Sequence, residues 1–578
     1  MPTQPHGIPV HASADGILDA LDPEQREVAA HPLGPMVVLA GAGTGKTRAI
    51  THRIAHGIQE GVYSPGTLLA LTFTAKAAGE LRYRLRVLGT PGAVVRTFHA
   101  EALAQLGYFW PDLVGGSAPR LLDHKARYIA EAGERAKIRL GPGAVRDVAG
   151  EIEWRKTSEL SIERYAEAAR NRPLPRGLDA DAVAEVQQQY EEIKDERRRI
   201  DFEDVLLLAS GLLDSEHAAR ERVRTQYRHF VVDEFQDVSP LQHRLLTLWL
   251  GERNDLCVVG DANQTIYTFA GASSSYLLGF ERDHPGAEIV RLERNYRSAP
   301  QVLDLANRLM RGRPGALDLR AATTGRGVVP EPVAYDDDAA EAAGIAEAVV
   351  AELAAGTAPE QVAVLHRVND QARAFEEAFA ARGIVTRSLS GTPFFEIPAV
   401  RKVMSALAVQ AQRFPDDPVR GFVADTARAA GWTVDRTHSR LAAQDWAGLD
   451  AVVRFAEGTP EDVTLARFAA ELDDREQAKG DLPMRAVVLG TLHSAKGLEW
   501  ESVYLAGLAE GLLPVVHARG AAAIDEERRL LYVGITRARR RLTLSWARRG
   551  QRASERQPSR FLQELRTGSR DAAATSAR

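Results

Sequence analysis

Cysteine is almost missing from this 578-residue chain, where Cys257 stands alone. A single thiol excludes an internal disulfide and a cysteine-based zinc site. Its place in the apolar run Leu256-Cys257-Val258-Val259 reads as a packed core thiol, not a nucleophile. A reducing compartment fits that usage. Lysine is scarce too: of 73 lysines and arginines only nine are lysine. Arginine is a wide planar fork and lysine a slim point charge, so they are not interchangeable in a tight phosphate cradle. The few lysines therefore mark positions worth reading, among them Lys46, Lys76 and Lys496. No apolar run approaches the ~20 residues a membrane-crossing helix needs. The first residues also lack the charged-then-apolar pattern of a signal peptide. The expected location is the cytoplasm, with no membrane partner. An excess of positive charge is absent as well. The formal net charge of −5 excludes a basic coat protein and confines any nucleic-acid contact to a local patch or groove.

What is present reads as an ordinary globular composition, 45% apolar and 26% charged, on a chain long enough for several domains. Residues 1–15 read as a flexible leader. Asp22-Pro23-Glu24-Gln25 reads as a helix start, with Asp at the N-cap and Pro at the first helical position. Short apolar runs at 36–40, 68–73, 229–233 and 256–260 predict strands that alternate with helices, the signature of a parallel α/β sheet. Between about 100 and 200 the texture turns helical, charged and polar, with Trp110 and Trp154 as anchors, so this stretch reads as an inserted helical subdomain. A second strand series, through 288–292, 329–334, 361–366, 487–492, 501–507 and 541–546, predicts a second α/β domain. Ala-rich helical sequence with Trp432 and Trp446 interrupts it from about 395 to 485. Asp336-Asp337-Asp338 reads as a solvated acidic loop in preference to a metal cluster. The polar tail after about 566 reads as disordered.

Four constellations carry chemistry. Ala40-Gly41-Ala42-Gly43-Thr44-Gly45-Lys46-Thr47 follows the strand Met36-Val37-Val38-Leu39 and opens a helix. Backbone N–H groups of such a loop cradle phosphate oxygens, Lys46 can reach the β- and γ-phosphates, and the Thr47 hydroxyl can ligate Mg²⁺. Ala40 stands where the strict pattern has Gly, and a small residue still permits the turn. The second constellation is Phe230-Val231-Val232-Asp233-Glu234-Phe235-Gln236-Asp237, a strand ending in adjacent carboxylates. Beside a phosphate loop, Asp233 suits Mg²⁺ and Glu234 suits the general base that takes a proton from attacking water. The third runs from Gly260 to Phe269: Gln264 can sense the γ-phosphate or position water by its amide, and Tyr267 and Phe269 alternate just beyond it. On the residues alone those aromatics read as core packing or as faces for stacked bases. The fourth is a pair of arginine sites, Asn295-Tyr296-Arg297-Ser298 and Ile535-Thr536-Arg537-Ala538. Either arginine could be a surface cation or a stabiliser of γ-phosphate charge.

The ordered set of motifs resembles the UvrD/PcrA/Rep class of superfamily 1 DNA helicases, from about residue 21 to 565. Leu21-Asp22-Pro23-Glu24-Gln25 resembles the family's adenine-reading segment, with Gln25 as reader. The phosphate loop extends through Arg48. Leu71-Thr72-Phe73-Thr74-Ala75-Lys76 and Arg96-Thr97-Phe98-His99 resemble its DNA-contacting segments, which implies DNA contacts at Phe73, Thr97 and His99. Tyr267, Phe269 and His493 are implied likewise. Tyr296 matches the aromatic that stacks on adenine, and Glu499 in Leu492-His493-Ser494-Ala495-Lys496-Gly497-Leu498-Glu499-Trp500 matches the ribose contact. Arg297 and Arg537 match the γ-phosphate arginines.

The resemblance implies an α/β fold of two RecA-like parallel-sheet motor domains, each carrying a mainly helical insertion. It places the first motor domain at 16–99 and 200–287, its insertion at 100–199, the second at 288–394 and 486–566, a shortened insertion at 395–485, and a flexible tail at 567–578. It implies ATP and Mg²⁺ at a cleft completed by both motor domains. It also implies 3′-to-5′ movement on single-stranded DNA, engagement of tailed duplexes, a role in repair or replication, and repair-protein partners. Three departures stand out. Phe269 replaces the usual Trp, Ala75 replaces a common Asn, and only 194 positions separate Arg297 from Thr491. The abbreviated second insertion opens an alternative: a translocase with weak unwinding that serves as a subunit of a larger repair complex.

Overall fold

The computed structural model describes residues 14–566 apart from 173, 478–479 and 551–553. The leader and tail expected at the two ends thus lie largely outside the described residues; positions 14–15 open a short helix, Ala14–Asp19. The chain divides between Glu293 and Arg294 into two compact units.

The first unit is built on six parallel strands in the order Val94–Thr97, Leu68–Thr72, His229–Val232, Leu256–Gly260, Met36–Ala40, Glu288–Leu292. Helices cover both faces of such a sheet, so its strands are near-continuous apolar runs. Successive side chains enter opposite cores. Leu69, Leu71, Val232 and Val258 pack with Phe98 and Trp249, while Leu68, Ala70, Val231, Cys257 and Val259 pack with Ile50 and Ile54. Cys257 is buried, a core thiol as expected, and burial raises its pKa. The helix start also holds: the Asp22 carboxylate accepts the Gln25 N–H at 2.7 Å, ahead of the helix Pro23–Ala30.

One strand falls elsewhere than expected. Glu288–Leu292, read as the head of the second series, is the edge strand of the first sheet. It pairs with Met36–Ala40 from Met36 opposite Glu288 to Ala40 opposite Leu292. Five apolar-rich residues carry no mark of which sheet they join. The short connection through Ser275–Leu278 and Phe280–Asp283 keeps them local.

The helices Lys125–Arg135, Pro142–Thr157 and Ala180–Glu196 close on a core of their own, with Ile129, Ile152, Val186 and Ile193. Beside it lies a buried charge cluster. Lys156 Nζ stands 2.7 Å from Asp201 and 2.6 Å from Asp204, and both Lys156 and Lys194 pair with Glu191. Burial works against the Lys156 charge, but the three carboxylates outweigh it and raise its pKa. Asp201 and Asp204 also form the capping box that starts the helix Phe202–Ser215.

The second unit carries a six-stranded parallel sheet in the order Val333–Tyr335, Ala538–Ala547, Trp500–Leu505, Val362–His366, Val487–Thr491, Thr386–Ser388. The helices Pro398–Arg413, Val419–Ala429, Ala443–Glu457 and Leu465–Gln477 gather around Val403, Leu407, Val423, Leu449 and Phe468. Trp432 and Trp446 are buried there, and the Trp446 indole donates to the Thr433 carbonyl at 2.9 Å. The aspartate run is structural. Asp337 caps the helix Asp338–Ala354, and Asp338 pairs with Arg556.

His366, buried at the end of its strand and stacked on Phe375, yields a stability prediction. Burial lowers its pKa from 6.5 to about 4. The unfolded chain therefore binds more protons between those values. The contribution of a neutral His366 is whole above pH 6.5 and is lost as pH falls toward 4. His366→Phe should flatten the fall in melting temperature across that window. Equal slopes for the two proteins would reject the assignment.

Candidate nucleotide site and aromatic face

In the first unit, the strand Met36–Ala40 leads into a loop whose shape rests on glycines. Gly43 and Gly45 adopt left-handed φ of 70° and 83°. A Cβ on Gly45 would stand 2.5 Å from Gln25 Nε2, the amide that donates to the Thr44 carbonyl at 2.9 Å. Gln25 is buried and braces the phosphate loop through that bond. The Gly41 N–H donates to Leu292 at 3.2 Å, and the Thr44 hydroxyl to Gly41 at 2.9 Å. Ala40 and Ala42 are buried. Lys46 and Thr47 begin the helix Lys46–Gln59, and Arg48 donates to the Ala20 carbonyl.

Asp233 and Glu234 follow the strand His229–Val232. Asp233 is 7% exposed, and its pKa is pushed up to about 7 by burial first and by Glu234 second, with Lys46 opposing. Glu234 holds a left-handed φ of 53°, which turns the chain sharply after the first carboxylate. The residue that ties this turn to the next loop is Gln236. Its Nε2 donates to the Glu234 carboxylate at 2.5 Å and its Oε1 accepts the Asp261 N–H at 3.0 Å. A Cβ on Gly260 would stand 2.4 Å from that oxygen. Gln264 is buried and donates to the Asp261 carboxylate at 2.8 Å. Sequence reading quoted Gln236 without giving it a part. Its signal was an amide set between the carboxylates of Glu234 and Asp237, in the short turn after the strand.

Beyond Gln264 the aromatics are not core. Phe73 is 41% and Phe269 54% exposed. Phe73 lies nearly parallel to Tyr267, with ring centroids 6.1 Å apart at 12°, and Phe269 meets Tyr267 at 68°. Burial raises the Tyr267 pKa to about 12. Thr97 has a local role: its hydroxyl accepts the Ala100 N–H at 3.2 Å and caps the helix Phe98–Leu113. His99 stacks on Phe202 with centroids 4.0 Å apart at 15°, and burial lowers its pKa to about 4, leaving a neutral ring at physiological pH. Phe202 is 56% exposed and was missed by sequence reading. Its only signal was a large aromatic at the first position of a capped helix.

In the second unit, Asn295 is buried and its side-chain oxygen accepts the N–H groups of Arg297 and Ser298 at 2.8 and 2.7 Å. That turn aims Arg297 at Glu499, with which it pairs. Arg539 joins the same carboxylate. Burial pushes the Glu499 pKa up, but the Arg297 and Arg539 guanidiniums hold it below the usual range. Arg537 is 1% exposed and donates to the carbonyls of Val533 and Leu498 at 2.9 and 3.1 Å. Tyr296 is exposed, with the Arg294 guanidinium 5.8 Å from its ring centroid. His493 lies after the strand Val487–Thr491, and its pKa falls to about 4 through burial, with Arg367 and Lys496 adding to the effect.

A glycine-shaped phosphate loop at one strand end, with a carboxylate pair at the end of another strand in the same parallel sheet, defines a P-loop nucleotide-binding protein. The UvrD/REP helicase N-terminal domain model matches residues 21–285, and the UvrD-like helicase C-terminal domain model matches 290–441 and 455–549. The chain is 43% identical over 576 residues to the ATP-dependent DNA helicase UvrD2 of Mycobacterium tuberculosis, covering 95% of this chain and 82% of that protein. It is 30% identical to DNA helicase II of Escherichia coli, covering 95% and 88%. Against ATP-dependent DNA helicase PcrA of Bacillus subtilis the identity is 27%, covering 95% and 86%. This chain belongs to the UvrD-like family of superfamily 1 helicases. Among the described residues no helix is long and apolar enough to cross a membrane.

Proposed function

We propose that this protein is an ATP-dependent DNA helicase that couples ATP hydrolysis to 3′-to-5′ movement on single-stranded DNA, in the cytoplasm, during repair or replication. The observation that carries the reading is an aromatic set, exposed Phe73 and Phe269 with half-buried Tyr267 between them, whose last two members lie a few residues beyond the Asp261–Gln264 loop that Gln236 ties to the carboxylate pair. Lys46 and the loop amides bind the β- and γ-phosphates, Gln25 reads the adenine, and Tyr296 is the aromatic that stacks on it. Glu499 reads the ribose. Thr47 and Asp233 offer oxygen donors suited to Mg²⁺, and the buried Asp233 carboxyl, raised toward neutrality, is a group that a cation would relieve. When bound, Mg²⁺ supplies charge neutralisation at the phosphates. Glu234 takes the proton of attacking water, Gln264 positions that water, and Arg297 and Arg537 stabilise γ-phosphate charge. The 16–99 and 200–293 segments act as one motor domain, which takes in the edge strand Glu288–Leu292, with 100–199 as its insertion. The 294–394 and 486–566 segments act as the second, with 395–485 as its insertion. Phe73, Tyr267 and Phe269 stack on bases, with Thr97, His99 and His493 beside the strand, so a change at the phosphates reaches the DNA through the 260–269 loop.

The test is ATP turnover with and without single-stranded DNA, and strand displacement on duplexes with a 3′ or a 5′ tail. Turnover stimulated by DNA and displacement from the 3′ tail alone are expected. Equal turnover in both conditions would overturn the coupling. A second reading, a translocase with weak unwinding that works as a subunit of a repair assembly, is favoured by the short span between Arg297 and Thr491. It expects DNA-stimulated turnover with little displacement until a partner protein is added. The stacking part has its own check. Phe269→Trp enlarges an exposed face and should lower the DNA concentration for half-maximal stimulation by about threefold, a fraction of one stacked base. No change, or weaker binding, would argue against Phe269 as a stacking face.

A further inference from the structure

The last turn of the helix Pro142–Thr157 and the bend after it touch three separate parts of the first unit within four residues. Lys156 is bound to Asp201 and Asp204, the capping box that brackets Phe202. The Thr157 hydroxyl lies 2.9 Å from the Ala270 carbonyl, one residue after Phe269. It also lies 2.8 and 3.2 Å from the carbonyls of Glu153 and Trp154 in its own helix. Glu159, at a left-handed φ of 56°, pairs with Arg244 at 2.9 Å, on the helix Pro240–Leu250 that follows the carboxylate pair. The approach to the aromatic loop is close by design of the backbone. Gly271 sits at a φ of 94°, and a Cβ there would stand 2.7 Å from the Thr157 oxygen.

We propose that the 156–159 corner is a positioning clamp that sets the spacing between two aromatic posts, His99/Phe202 and Tyr267/Phe269, and so sets the affinity for single-stranded DNA. The proposal rests on the reading of those aromatics as base-stacking faces. Two stacking posts bind one strand well only when their separation matches the strand's own base spacing. Each post sits where the chain fixes its place, Phe202 at the first residue of a capped helix and Phe269 in the three-residue turn Thr268–Ala270. The corner bonds to the residues beside both, Asp201 and Asp204 at the start of the Phe202 helix and Ala270 next to Phe269. Its lysine is held by carboxylates out of water, where a pair with good geometry is rigid and loss of one partner is costly. Its threonine contacts the other post through one hydroxyl and one glycine. Thr157 and Lys156 therefore act through Phe202 and Phe269 and touch no DNA themselves.

Thr157→Val keeps the shape and removes the hydroxyl. It should raise the DNA concentration for half-maximal ATPase stimulation by about fivefold, the size of a coupling between contacting residues. ATP turnover without DNA should match the parent protein, and the melting temperature should stay within a few degrees of it. Thr157→Ser should restore the parent value. In a cycle with Phe269→Ala, the two effects should combine to less than their product, because both act through one post. A Thr157→Val protein that stimulates within about twofold of the parent, or that loses DNA-free turnover and thermal stability together, overturns the clamp. Phe269→Ala separates the two levels: if it too leaves stimulation unchanged, the stacking reading itself falls.

Discussion

Lys46→Ala should reduce ATP turnover by about a thousandfold, the upper end of the loss when one preorganised donor is removed from a site of developing charge. Binding of single-stranded DNA, measured by fluorescence anisotropy without nucleotide, should stay within about twofold, since the aromatic face is built from other elements. Lys46→Arg should fail nearly as badly. The loop around Lys46 is tightened by Gly43 and Gly45 in left-handed conformations and braced by the buried Gln25 amide. A planar five-donor fork does not fit where a point charge does. A chain with so few lysines keeps one here for that reason. The substitution also removes the cation that opposes the buried Asp233–Glu234 repulsion, so Asp233 should shift further up in Lys46→Ala. Turnover within tenfold of the parent would reject the phosphate-loop assignment.

Much of the fold is legible because it depends on local patterns. Apolar runs of five residues beside turn residues are buried parallel strands, and Asp22-Pro23 is a capped helix start, since both signals lie within a few residues of one another. Which sheet a strand joins is a long-range matter. Glu288–Leu292 shows this: its composition suits either sheet, and only its pairing with Met36–Ala40 decides. The exposure of Phe73 and Phe269 is equally non-local, because an aromatic beside a nucleotide loop packs inward or faces water according to what covers it. The part of Lys156 and Lys194 was hidden for a related reason. Their partners Asp201 and Asp204 lie some 45 positions from Lys156 and read, by themselves, as an ordinary helix cap. The scarcity of lysine was a true signal, but it pointed to phosphate chemistry when several of the few lysines hold buried carboxylates.

Arg297→Ala should lower DNA-stimulated turnover by about a thousandfold, the lower end of what a γ-phosphate arginine contributes, with a smaller change in nucleotide binding. The structure makes this the cleaner of the two arginine tests. Arg537 is buried and donates to the Val533 and Leu498 carbonyls, so removing it strands buried acceptors and costs about 1–3 kcal/mol of folding stability besides any catalytic effect. Arg297 is partly exposed, and its partner Glu499 is also held by Arg539. After Arg297→Ala the carboxylate keeps a cation, and the melting temperature should stay within a few degrees of the parent. Glu499 is half-buried and held by two guanidiniums, so its charge keeps a partner when Arg297 is removed. That makes Glu499→Gln informative. Freed of its carboxylate, Arg297 loses its holding partner but keeps its charge, and turnover should fall far less than in Arg297→Ala. If both variants lose turnover equally, Arg297 acts only by orienting Glu499, and the phosphate assignment fails.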